Sequence, residues 1–390
     1  MTKNASEPQY RTLGSPGKAA LYIGLMSGTS LDGIDVALIE TDGVSVKKRL
    51  GFKGFPYEPE QRAMLGDAIA TVRHSNDPLA IVMGQVYTEL SDQLADWHAT
   101  AVEQFLASLS DLDRAQIAAI GFHGQTLDHR PDDGITIQLG NAQRLASTLG
   151  IPVVGDFRKA DVNNGGQGAP LAPLYHAALL NGAETERALG ILNIGGVANL
   201  TVLERDPAKN MRITAFDTGP GNGLIDDWVA RHTSNTFDQD GRLGAAGTVN
   251  DTALDELLAH PYVQAPYPKS LDRHDFDLTG VIDLSLEEGA ATLTAFTAES
   301  VNRSIGQTGA VLDKVYVTGG GRHNPTLMTM LRDRTGMDCQ PIESLGVNGD
   351  AVEAEAFAFL AARHLRELPL SWPETTGCKE PTVGGKLFHS

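Results

Sequence analysis

The feature that most constrains the fold is a strand–turn–strand pattern that occurs twice, at 21–39 and at 191–203. In each copy an apolar run ends in a short glycine-containing turn and a second apolar run follows, which is typical of a β-hairpin. The two copies lie about one domain apart. Because 390 residues are too many for one compact core, we expect two α/β domains, each beginning with one of these hairpins.

The turn of the first hairpin, residues 27–33, combines two glycines with three hydroxyl side chains and an aspartate. Backbone N–H groups at glycines can approach an anion closely. Asp32 and Asp35 offer the oxygen ligands that Mg²⁺ prefers. These residues indicate a site for phosphate and Mg²⁺, but an Asp-Gly hairpin turn with solvated hydroxyls accounts for them as well, because turns commonly use these residue types.

The composition restricts the class of partner and the compartment. A formal net charge of −18 argues against nucleic acid or an anionic membrane as a partner, because both need basic surface. The two cysteines cannot form a disulfide framework and fit a reducing cytoplasm. Residues 1–18 are polar and are expected to form a loose tail, and no secretory or membrane-spanning segment is visible. We therefore expect a cytoplasmic protein that binds any polyanion locally.

Two polar residues stand where a ligand could be bound. His123 follows the strand predicted at 117–122, and ligands in open α/β sheets bind at strand ends. A histidine satisfied within a turn is the simpler interpretation of that residue. Arg158 suits a clamp for a carboxylate or a phosphate. A structural ion pair with Asp156 or Asp161 is equally compatible with the sequence.

Asp217 is the candidate for general-base work. A predicted strand that begins at Ile213 delivers this aspartate into a glycine-rich turn at 219–223, and a helix is predicted to begin near Leu224. A carboxylate at the end of a strand, beside a helix N-terminus, is well placed to take a proton from a ligand. The alternative is an Asx turn that caps the helix. Together with the repeated hairpins, the pattern favours the base.

The remaining segments supply cover for the sheets and one more glycine run. The stretch 50–112 is predicted to be largely helical, a strand is predicted at 135–139, and helices are predicted at 142–149 and 286–306. In the surface loop predicted at 266–274, substrate contacts are conceivable for Lys269, Ser270, Arg273 and His274, but the composition favours solvated side chains. A further strand runs into three glycines at 319–321, which allow a flat ring or a phosphate to lie against the backbone. The alanine-rich helix predicted at 351–367 carries Glu353 and Glu355, and spacing alone does not decide which of the two faces a ligand.

Several common motifs are absent. The sequence has no G-x-x-x-x-G-K-[ST], no G-x-G-x-x-G after a strand, no H-E-x-x-H and no G-x-S-x-G. A Walker-type NTPase, a Rossmann dehydrogenase, a zincin and an α/β-hydrolase are therefore disfavoured. The duplicated plan instead resembles the phosphotransferases of the actin, hexokinase and Hsp70 type. That resemblance implies two ribonuclease H-like α/β domains with an ATP cleft between them.

At the level of individual motifs, the chain resembles the anhydro-N-acetylmuramic acid kinase family over roughly residues 20–385. The stretches that carry the resemblance are 25–35, 121–126, 156–158 with Asp161, 165–171, 193–196, 216–222, 318–321 with Asn324, and 353–361. Each stretch is weak alone, but they occur in order and at family-like spacing. The departures are modest: an N-terminal extension, and residues 347–350, where the family often has prolines.

The resemblance implies a double reaction. The family uses ATP, Mg²⁺ and water to convert 1,6-anhydro-N-acetylmuramic acid, a product of peptidoglycan turnover, to N-acetylmuramic acid 6-phosphate and ADP. Water opens the anhydro bridge at C1, and the released O6 takes the γ-phosphoryl group. By the same resemblance Asp217 takes a proton from the water, and Arg158 faces the lactyl carboxylate.

The resemblance also implies the ligand contacts. The ATP phosphates are expected on Ser27, Gly28, Thr29, Ser30, Leu31, Asp32, Gly33 and Ile34, with Asp32 as the Mg²⁺ ligand. The rest of ATP is expected on Gly195, Gly196, Gly319, Gly320, Gly321 and Asn324. The sugar is expected on Gln125, Thr126, Arg158 and Glu353.

The expected domains are 19–154 with 375–390, which carries the first hairpin, and 155–374, which carries the second hairpin, the catalytic aspartate and the late glycine run. The partners implied are a small anhydrosugar and ATP, with a homodimer as a family-level expectation. Two other functions stay open. One is a kinase for an anhydrosugar of the levoglucosan type, and the other is an actin- or Hsp70-like ATPase that switches a partner.

Overall fold

A computed structural model describes residues 9–28, 30–109, 112–183, 187–208, 210–267, 269–271 and 276–390, and its architecture is mixed α/β. The strands are β1 (Ala20–Met26), β2 (Gly33–Thr41), β3 (Val46–Pro56), β4 (Ile117–Phe122), β5 (Gln125–Arg130), β6 (Ile135–Leu139), β7 (Val153–Gly155), β8 (Ala188–Ile194), β9 (Val197–Arg205), β10 (Met211–Pro220), β11 (Leu312–Thr318), β12 (Asp338–Pro341) and β13 (Lys386–Phe388). The helices are α1 (Pro59–Arg73), α2 (Pro78–Val82), α3 (Gln85–Ala107), α4 (Ala142–Leu149), α5 (Lys159–Asn163), α6 (Pro173–Leu179), α7 (Gly223–His232), α8 (Arg242–Ala246), α9 (Asp251–Leu258), α10 (Pro261–Gln264), α11 (Leu286–Thr308), α12 (Pro325–Thr335), α13 (Val352–Leu365) and α14 (Pro373–Thr376). Across these described segments, no helix combines the length and the apolar character needed to cross a membrane.

The chain divides into two compact units. The first unit contains Leu13–Asn181 and Ala351–Ser390, and the second contains 9–12 and Gly182–Asp350. The domain boundaries expected from the sequence, at 154/155 and at 374/375, fall inside the first unit. They do so because α6 packs against α13, so the stretch after β7 stays with the first sheet.

Both units have the same order of five strands. The sheet of the first unit has the order β3-β2-β1-β4-β7, with β13 added beyond β7, and the sheet of the second has the order β10-β9-β8-β11-β12. In each sheet the first three strands form an antiparallel meander, and the next strand runs parallel to the first of them. The predicted α/β fold with two domains of like topology is thereby confirmed.

The edge strand β3 lies partly where the sequence predicts helix. Residues 50–56 were expected within a largely helical stretch, but they pair with β2 as part of β3, so that part of the prediction is wrong. Much of this strand is exposed, and basic side chains interrupt its alternating pattern: Lys47, Lys48, Arg49 and Lys53. Basic residues on an edge strand hinder pairing with another chain. The rest of the stretch is largely helical, in α1, α2 and α3.

Glycines in β1 and β4 allow helix α13 to touch the backbone of the sheet. A Cβ at Gly24 would collide with the carbonyl oxygen of Ala354, and a Cβ at Gly121 would collide with that of Phe357. Successive strand residues point to opposite faces. Ile23 therefore points away from α13, into a core that it shares with side chains of α3. The first sheet is covered on both faces.

Helix α11 is the corresponding buried helix of the second unit. It begins with a capping box of Ser285 and Glu288, and it ends at Gly309 in the left-handed conformation. Val301 packs with the sheet, whereas Phe296 belongs to a second core around Trp228. One helix thus joins the sheet of this unit to its outer helices, and the sequence prediction of a helix over 286–306 is confirmed.

The N-terminal stretch is tied down where the structure describes it. Arg11 and Met211 exchange two backbone hydrogen bonds of 2.7 Å. Leu13 is buried, and its carbonyl oxygen accepts a bond from Arg363 Nη1 at 2.8 Å. Residues 9–18 therefore do not form the loose tail that their polar composition suggested, and residues 1–8 lie outside the described residues.

Candidate active site

The turn between β1 and β2 is held by a buried side chain, and its backbone is strained. Ser27 is buried, and its Oγ donates to the carbonyl oxygen of Gly124 at 3.1 Å. Leu31 has a φ of 58°, and its N–H bonds to the carbonyl oxygen of Gly28 at 3.2 Å. A left-handed leucine costs roughly 1–3 kcal/mol and persists only where its surroundings fix it, as they often do at ligand sites. The first hairpin turn is therefore strained and held by a buried side chain, as a binding turn often is.

Asp32 is the candidate metal ligand of this turn. Its side chain is exposed, and its carbonyl oxygen accepts the N–H of Tyr57 at 3.1 Å. The described residues hold no group of three or more His, Cys, Asp or Glu side chains that could enclose a metal ion. Mg²⁺ is commonly held by one or two carboxylates together with phosphate oxygens and water, so one exposed aspartate fits Mg²⁺ that arrives with a nucleotide. Ser30 is exposed beside it, Ile34 is buried, and Thr29 lies outside the described residues.

Gln125 lies beneath the phosphate turn rather than on an open surface. It is fully buried, and its Nε2 donates to the carbonyl oxygen of Gly28 at 3.2 Å. Its Oε1 has no hydrogen-bond partner among the residues that the structure describes. Thr126, the next residue, is half-buried and accepts a bond from Gln138 Nε2 at 3.4 Å. Of the two sugar contacts expected here, Thr126 is the more accessible, and Gln125 supports the turn.

The glycines of the candidate site divide into two classes. In the first class a side chain would not fit. A Cβ at Gly33 would collide with the carbonyl oxygen of Phe55. A Cβ at Gly319 or Gly321 would collide with Ile194, and one at Gly221 would collide with the carbonyl oxygen of Gly195. Among the described residues, a Cβ would meet nothing closer than 3.5 Å at the open glycines, which are Gly28, Gly195 and Gly320. None of these three has a positive φ. Neither packing nor backbone strain therefore explains why these three positions are glycine.

Backbone hydrogen bonds hold the second hairpin turn. Gly195 and Gly196 join β8 to β9, and their carbonyl oxygens accept N–H bonds of 2.7 to 3.1 Å from the loop at 221–223. That loop leads into α7, whose N-cap is Asn222. Both turn glycines are half-buried, which leaves part of their backbone accessible.

Arg322 holds the late glycine run. Its Nη1 donates to the carbonyl oxygen of Gly319 at 2.9 Å, and the guanidinium pairs with Glu343 at 2.8 Å and Asp350 at 2.9 Å. Its side chain is nearly buried, at 3% exposure. Asn324 caps α12, since its Oδ1 accepts the N–H of Leu327 at 2.9 Å. The run is thus fixed at both ends, and the position expected to bind ATP at Asn324 has a structural role.

Asp217 lies inside a strand rather than after one. The sequence places it where β10 ends, but β10 continues to Pro220, with a bulge between Asp217 and Gly219. That part of the prediction is wrong, because Gly219 and Pro220 still pair with β9. A β-bulge re-aims a side chain within a sheet and is common next to active sites. Helix α7 is capped at Asn222 and not by Asp217, so the alternative role as its cap is also wrong.

The carboxylate of Asp217 is buried and oriented. Its Oδ2 accepts the N–H of Leu271 at 2.8 Å, and its own N–H donates to the carbonyl oxygen of Lys269 at 3.1 Å. Tyr262 Oη donates to the Asp217 carbonyl oxygen at 2.9 Å. Only 8% of the residue is exposed. An aspartate held in this way suits a general base, which must be oriented as well as ionised.

The burial of Lys269 is the feature of the site that the sequence does not predict. The loop at 266–274 favours solvated side chains by its composition, yet Lys269 is only 8% exposed, and burial lowers the pKa of its ammonium group to about 8, an effect that nearby Asp217 partly offsets. The signal in the sequence is the pair of prolines at 266 and 268, which restrict the chain before the lysine. Arg273 and His274, also considered as substrate contacts, lie outside the described residues.

Arg158 is oriented by His123. Its Nε and Nη2 lie 3.2 and 3.0 Å from His123 Nε2, and its Nη1 donates to the carbonyl oxygen of Gly168 at 2.7 Å. Burial, with a contribution from the guanidinium, holds the pKa of His123 well below its usual value, so the ring is neutral and Nε2 can accept. Arg158 is half-buried, and this pair joins two residues that were considered separately from the sequence.

The structure distinguishes the two glutamates of α13. Glu355 is buried, accepts a hydrogen bond from Tyr175 Oη and pairs with Arg49 Nε at 3.3 Å. Burial raises the pKa of this carboxyl group, and the bonds from Tyr175 and Arg49 oppose that change. Glu353 is exposed in the first turn of the same helix. Of the pair, Glu353 is therefore the one that a ligand can reach.

The candidate residues fall into two groups, one in each unit. The first unit holds the turn at 27–34, Gln125, Thr126, Arg158 and Glu353, and the second unit holds Asp217, both glycine turns and Asn324. Within the first unit, hydrogen bonds connect the turn with Gln125 and His123 with Arg158. Within the second, the 195–196 turn bonds to the loop at 221–223.

Similarity to known proteins identifies the family of this chain. A family model described as "Anhydro-N-acetylmuramic acid kinase" matches residues 20–390. A protein of that name from Rhizorhabdus wittichii is 48% identical over 365 residues, 94% of this chain and 98% of the relative. One from Zymomonas mobilis is 46% identical over 369 residues, 95% of this chain and 100% of the relative. A solved structure, the activator of the 2-hydroxyisocaproyl-CoA dehydratase from Clostridium difficile with bound ADPNP, matches 90% of this chain and 97% of that chain at 13% identity and a TM-score of 0.41, a likeness too distant to bear on function. The chain belongs to the anhydro-N-acetylmuramic acid kinase family.

Proposed function

We propose that this chain uses ATP to phosphorylate 1,6-anhydro-N-acetylmuramic acid while water opens the 1,6-anhydro ring. The products are N-acetylmuramic acid 6-phosphate and ADP, and the reaction serves the recycling of peptidoglycan. Family membership is the observation that carries this proposal, because the match extends over residues 20–390 and the named relatives are covered almost completely.

Asp217 is the general base in this proposal. Its carboxylate takes a proton from a water molecule, whose oxygen bonds to C1 of the sugar as the C1–O6 bond breaks. O6 bonds to the γ-phosphorus as the bond between that phosphorus and the bridging oxygen breaks, and ADP keeps the electron pair. The proton on Asp217 then passes to solvent. A positioned base contributes typically about 10²–10⁴-fold to a rate.

The glycine turns hold the nucleotide in this proposal. The open glycines Gly28, Gly195 and Gly320 support close approach of phosphate or ring to backbone, since no atom of the described residues would lie closer than 3.5 Å to a Cβ there. Asp32 would hold Mg²⁺, which when bound supplies positive charge to the phosphate oxygens during transfer. Phosphoryl transfer depends mainly on such positioning and electrostatics.

The sugar contacts are proposed on the first unit. Arg158 would bind the lactyl carboxylate, because a guanidinium pairs with a carboxylate through two parallel hydrogen bonds. The contact with neutral His123 supports this role, since it orients the guanidinium without neutralising its charge. Thr126 and exposed Glu353 would bind sugar hydroxyl or amide groups, and Gln125 would act through the turn beneath which it lies.

The two alternative functions are not favoured by the family match. A kinase for levoglucosan, which lacks the lactyl carboxylate, would be indifferent to Arg158→Ala, whereas the proposed kinase would lose affinity for its sugar. An ATPase that switches a partner would make no sugar phosphate. A cytoplasmic location and a homodimer also belong to the proposal, and cell fractionation and analytical ultracentrifugation test them.

The deciding experiment is a product assay in ¹⁸O-labelled water. The protein, ATP, Mg²⁺ and 1,6-anhydro-N-acetylmuramic acid are mixed, and products are followed by mass spectrometry at early times, before the anomeric oxygen exchanges with water. N-acetylmuramic acid 6-phosphate with ¹⁸O at C1 is the expected product. Consumption of ATP without a sugar phosphate would contradict the proposed substrate.

A further inference from the structure

Lys269 is a buried cation close to the proposed base. Its Nζ donates to the carbonyl oxygen of Tyr262 at 3.0 Å and lies 4.7 Å from the centre of the Tyr262 ring and 6.0 Å from that of Phe216. Removing an ammonium group from water costs stability unless hydrogen bonds and aromatic faces compensate. The chain keeps this charge beside Asp217, where an apolar side chain would fill the same space without that cost.

Three hydrogen bonds form a closed circuit around the backbone of Asp217. The Asp217 N–H donates to the Lys269 carbonyl oxygen, the Lys269 ammonium donates to the Tyr262 carbonyl oxygen, and the Tyr262 hydroxyl donates to the Asp217 carbonyl oxygen. The N–H of Leu271, two residues after the lysine, holds Oδ2 of the carboxylate at 2.8 Å. Each link of this circuit therefore bears on the orientation of the carboxylate.

We propose that Lys269 is a positioning residue for Asp217, acting through Tyr262 of α10 and the backbone at 269–271. The inference rests on the proposed role of Asp217 as the general base. With the ammonium in place, Tyr262 and the segment 269–271 stay fixed against β10, and the carboxylate keeps the direction that proton abstraction requires. Without it, the circuit opens, and the bond from Leu271 to the carboxylate then comes from a loosened segment.

The protonation of Lys269 provides a readout that a purely structural lysine would lack. Among the described residues, the titratable groups that face it are Asp217 from β10 and Tyr262 from α10, and Tyr267 of its own segment stacks on Phe216, the other ring near the ammonium. Because burial lowers the pKa of the ammonium to about 8, the circuit holds at pH 7 and opens as the pH rises through that value. The turnover number of the wild-type enzyme should therefore decline above about pH 8.

The test compares Lys269→Met and Lys269→Arg with wild type and with Lys314→Met. Lys314 is a matched control, because its Nζ also lies near an aromatic ring, 5.9 Å from the centre of Tyr316, but it pairs with Asp338 in the same unit without contact to the circuit. We expect Lys269→Met to lower kcat about tenfold at pH 7.5, to leave KM for ATP and sugar within twofold, and to abolish the alkaline decline. Lys269→Arg should restore part of kcat and also lack the decline, since arginine stays charged. Lys314→Met should match wild type.

Hydrogen–deuterium exchange gives a second readout that does not need turnover. In Lys269→Met the peptide that contains Asp217 should exchange at least fivefold faster than in wild type and in Lys314→Met. A wild-type protein that makes no sugar phosphate contradicts the proposed function, and exchange then still decides whether Lys269 fixes Asp217. Unchanged kcat and unchanged exchange in Lys269→Met would overturn the inference. If circular dichroism shows that Lys269→Met does not fold, the inference is tested on Lys269→Arg. A decline of kcat above pH 8 in that variant, as steep as in wild type, would overturn the inference.

Discussion

The two hairpin turns occupy the same place in the same strand order, but different groups hold them. The first turn spans residues 27–32 and is fixed by side chains, with Ser27 bonded to the loop after β4 and Gln125 bonded to Gly28. The second turn is only Gly195–Gly196, and the backbone N–H groups of the next loop fix it. A longer turn has more conformations to lose, which explains the need for side-chain support.

The comparison separates what each turn can tolerate. Side-chain substitutions should loosen the first turn, because side chains supply two of the hydrogen bonds that hold it. The second turn should be insensitive to side-chain removal and sensitive to added volume, because its support is backbone packed against backbone. The third strands differ as well, since β10 carries Asp217 and β3 carries no acidic residue.

The largest effect is expected where the units differ most, at Asp217. Asp217→Asn should keep the fold and the binding of both substrates, and should lower kcat about 10²–10⁴-fold, because an amide cannot take the proton from water. Steady-state kinetics and calorimetric binding check the two parts. Asp240→Asn, an exposed aspartate of the same unit that pairs with Arg242, is the control and should match wild type. Turnover of Asp217→Asn within a few-fold of wild type would remove the aspartate from the mechanism.

Acid should unfold the first unit before the second. Burial lowers the pKa of three histidines of the first unit: His98 to about 4, His176 to about 3, and His123 well below its usual value. Below pH 6.5 the unfolded chain therefore binds protons that the folded unit does not. The free energy of unfolding of this unit should fall as the pH falls from 6.5 to 5, by up to about 1.4 kcal/mol per pH unit for each histidine.

The tryptophans allow the two units to be followed separately during this titration. Trp228 lies in the second unit, whereas Trp97 and Trp372 lie in the first. Fluorescence of Trp228→Phe then reports the first unit, and fluorescence of the double variant Trp97→Phe/Trp372→Phe reports the second. Denaturant curves at pH 6.5 and pH 5 give the two free energies. An equal loss in both units would contradict the prediction.

The two classes of glycine give the next largest effect. Gly28→Ala should keep the stability of wild type, because its Cβ meets nothing closer than 3.5 Å, and should raise KM for ATP about tenfold by blocking approach to the backbone. Gly221→Ala should lower the free energy of unfolding by about 1–3 kcal/mol, because its Cβ would collide with the carbonyl oxygen of Gly195. Thermal unfolding and ATP kinetics separate the two outcomes. The classification fails if both variants lose stability equally.

The smallest effect is expected from the side chains beside each turn. Gln125→Leu removes the bond to the Gly28 carbonyl oxygen, and should raise KM for ATP about threefold with little change in stability, since it also removes an unpaired buried oxygen. Asn222→Ala is the counterpart in the second unit. Its side chain reaches the Ile194 carbonyl oxygen only at 3.4 Å and its backbone contacts stay, so KM should be unchanged. Equal effects of the two variants would show that both turns depend on side chains.

Local sequence patterns correctly predicted those helices and strands whose residues carry the periodicity of the element themselves. The strands at 117–122 and 135–139 and the helix at 142–149 have the bounds that the sequence predicts. Strand β3 was not predicted, because its basic residues interrupt the alternation of apolar and polar side chains that is typical of a strand. The strand depends on pairing with β2, which the local sequence does not show. Strand β10 was predicted only in part, because a bulge continues pairing past Asp217, and no local residue preference encodes that register.

The site shows the same limit more strongly. The turns and Asp217 stand out by composition, but the sequence does not show that Gln125 lies under a turn or that His123 orients Arg158, because those contacts join residues 35 or more positions apart. Burial of Lys269 depends on Tyr262 and on β10. The choice between Glu353 and Glu355 depends on Arg49 and Tyr175, which no spacing rule connects with α13.

The split of the first unit has a consequence for synthesis on the ribosome. Residues 182–350 are contiguous, so nearly everything that the second unit needs leaves the ribosome in one stretch. The first sheet is begun with β1, yet the face that Gly24 and Gly121 open to α13 has no cover until residues 352–365 emerge. Domains tend to fold as they are made. The sheet that is begun first is therefore completed last. Until then, its uncovered face is a surface on which the growing chain can associate with other proteins.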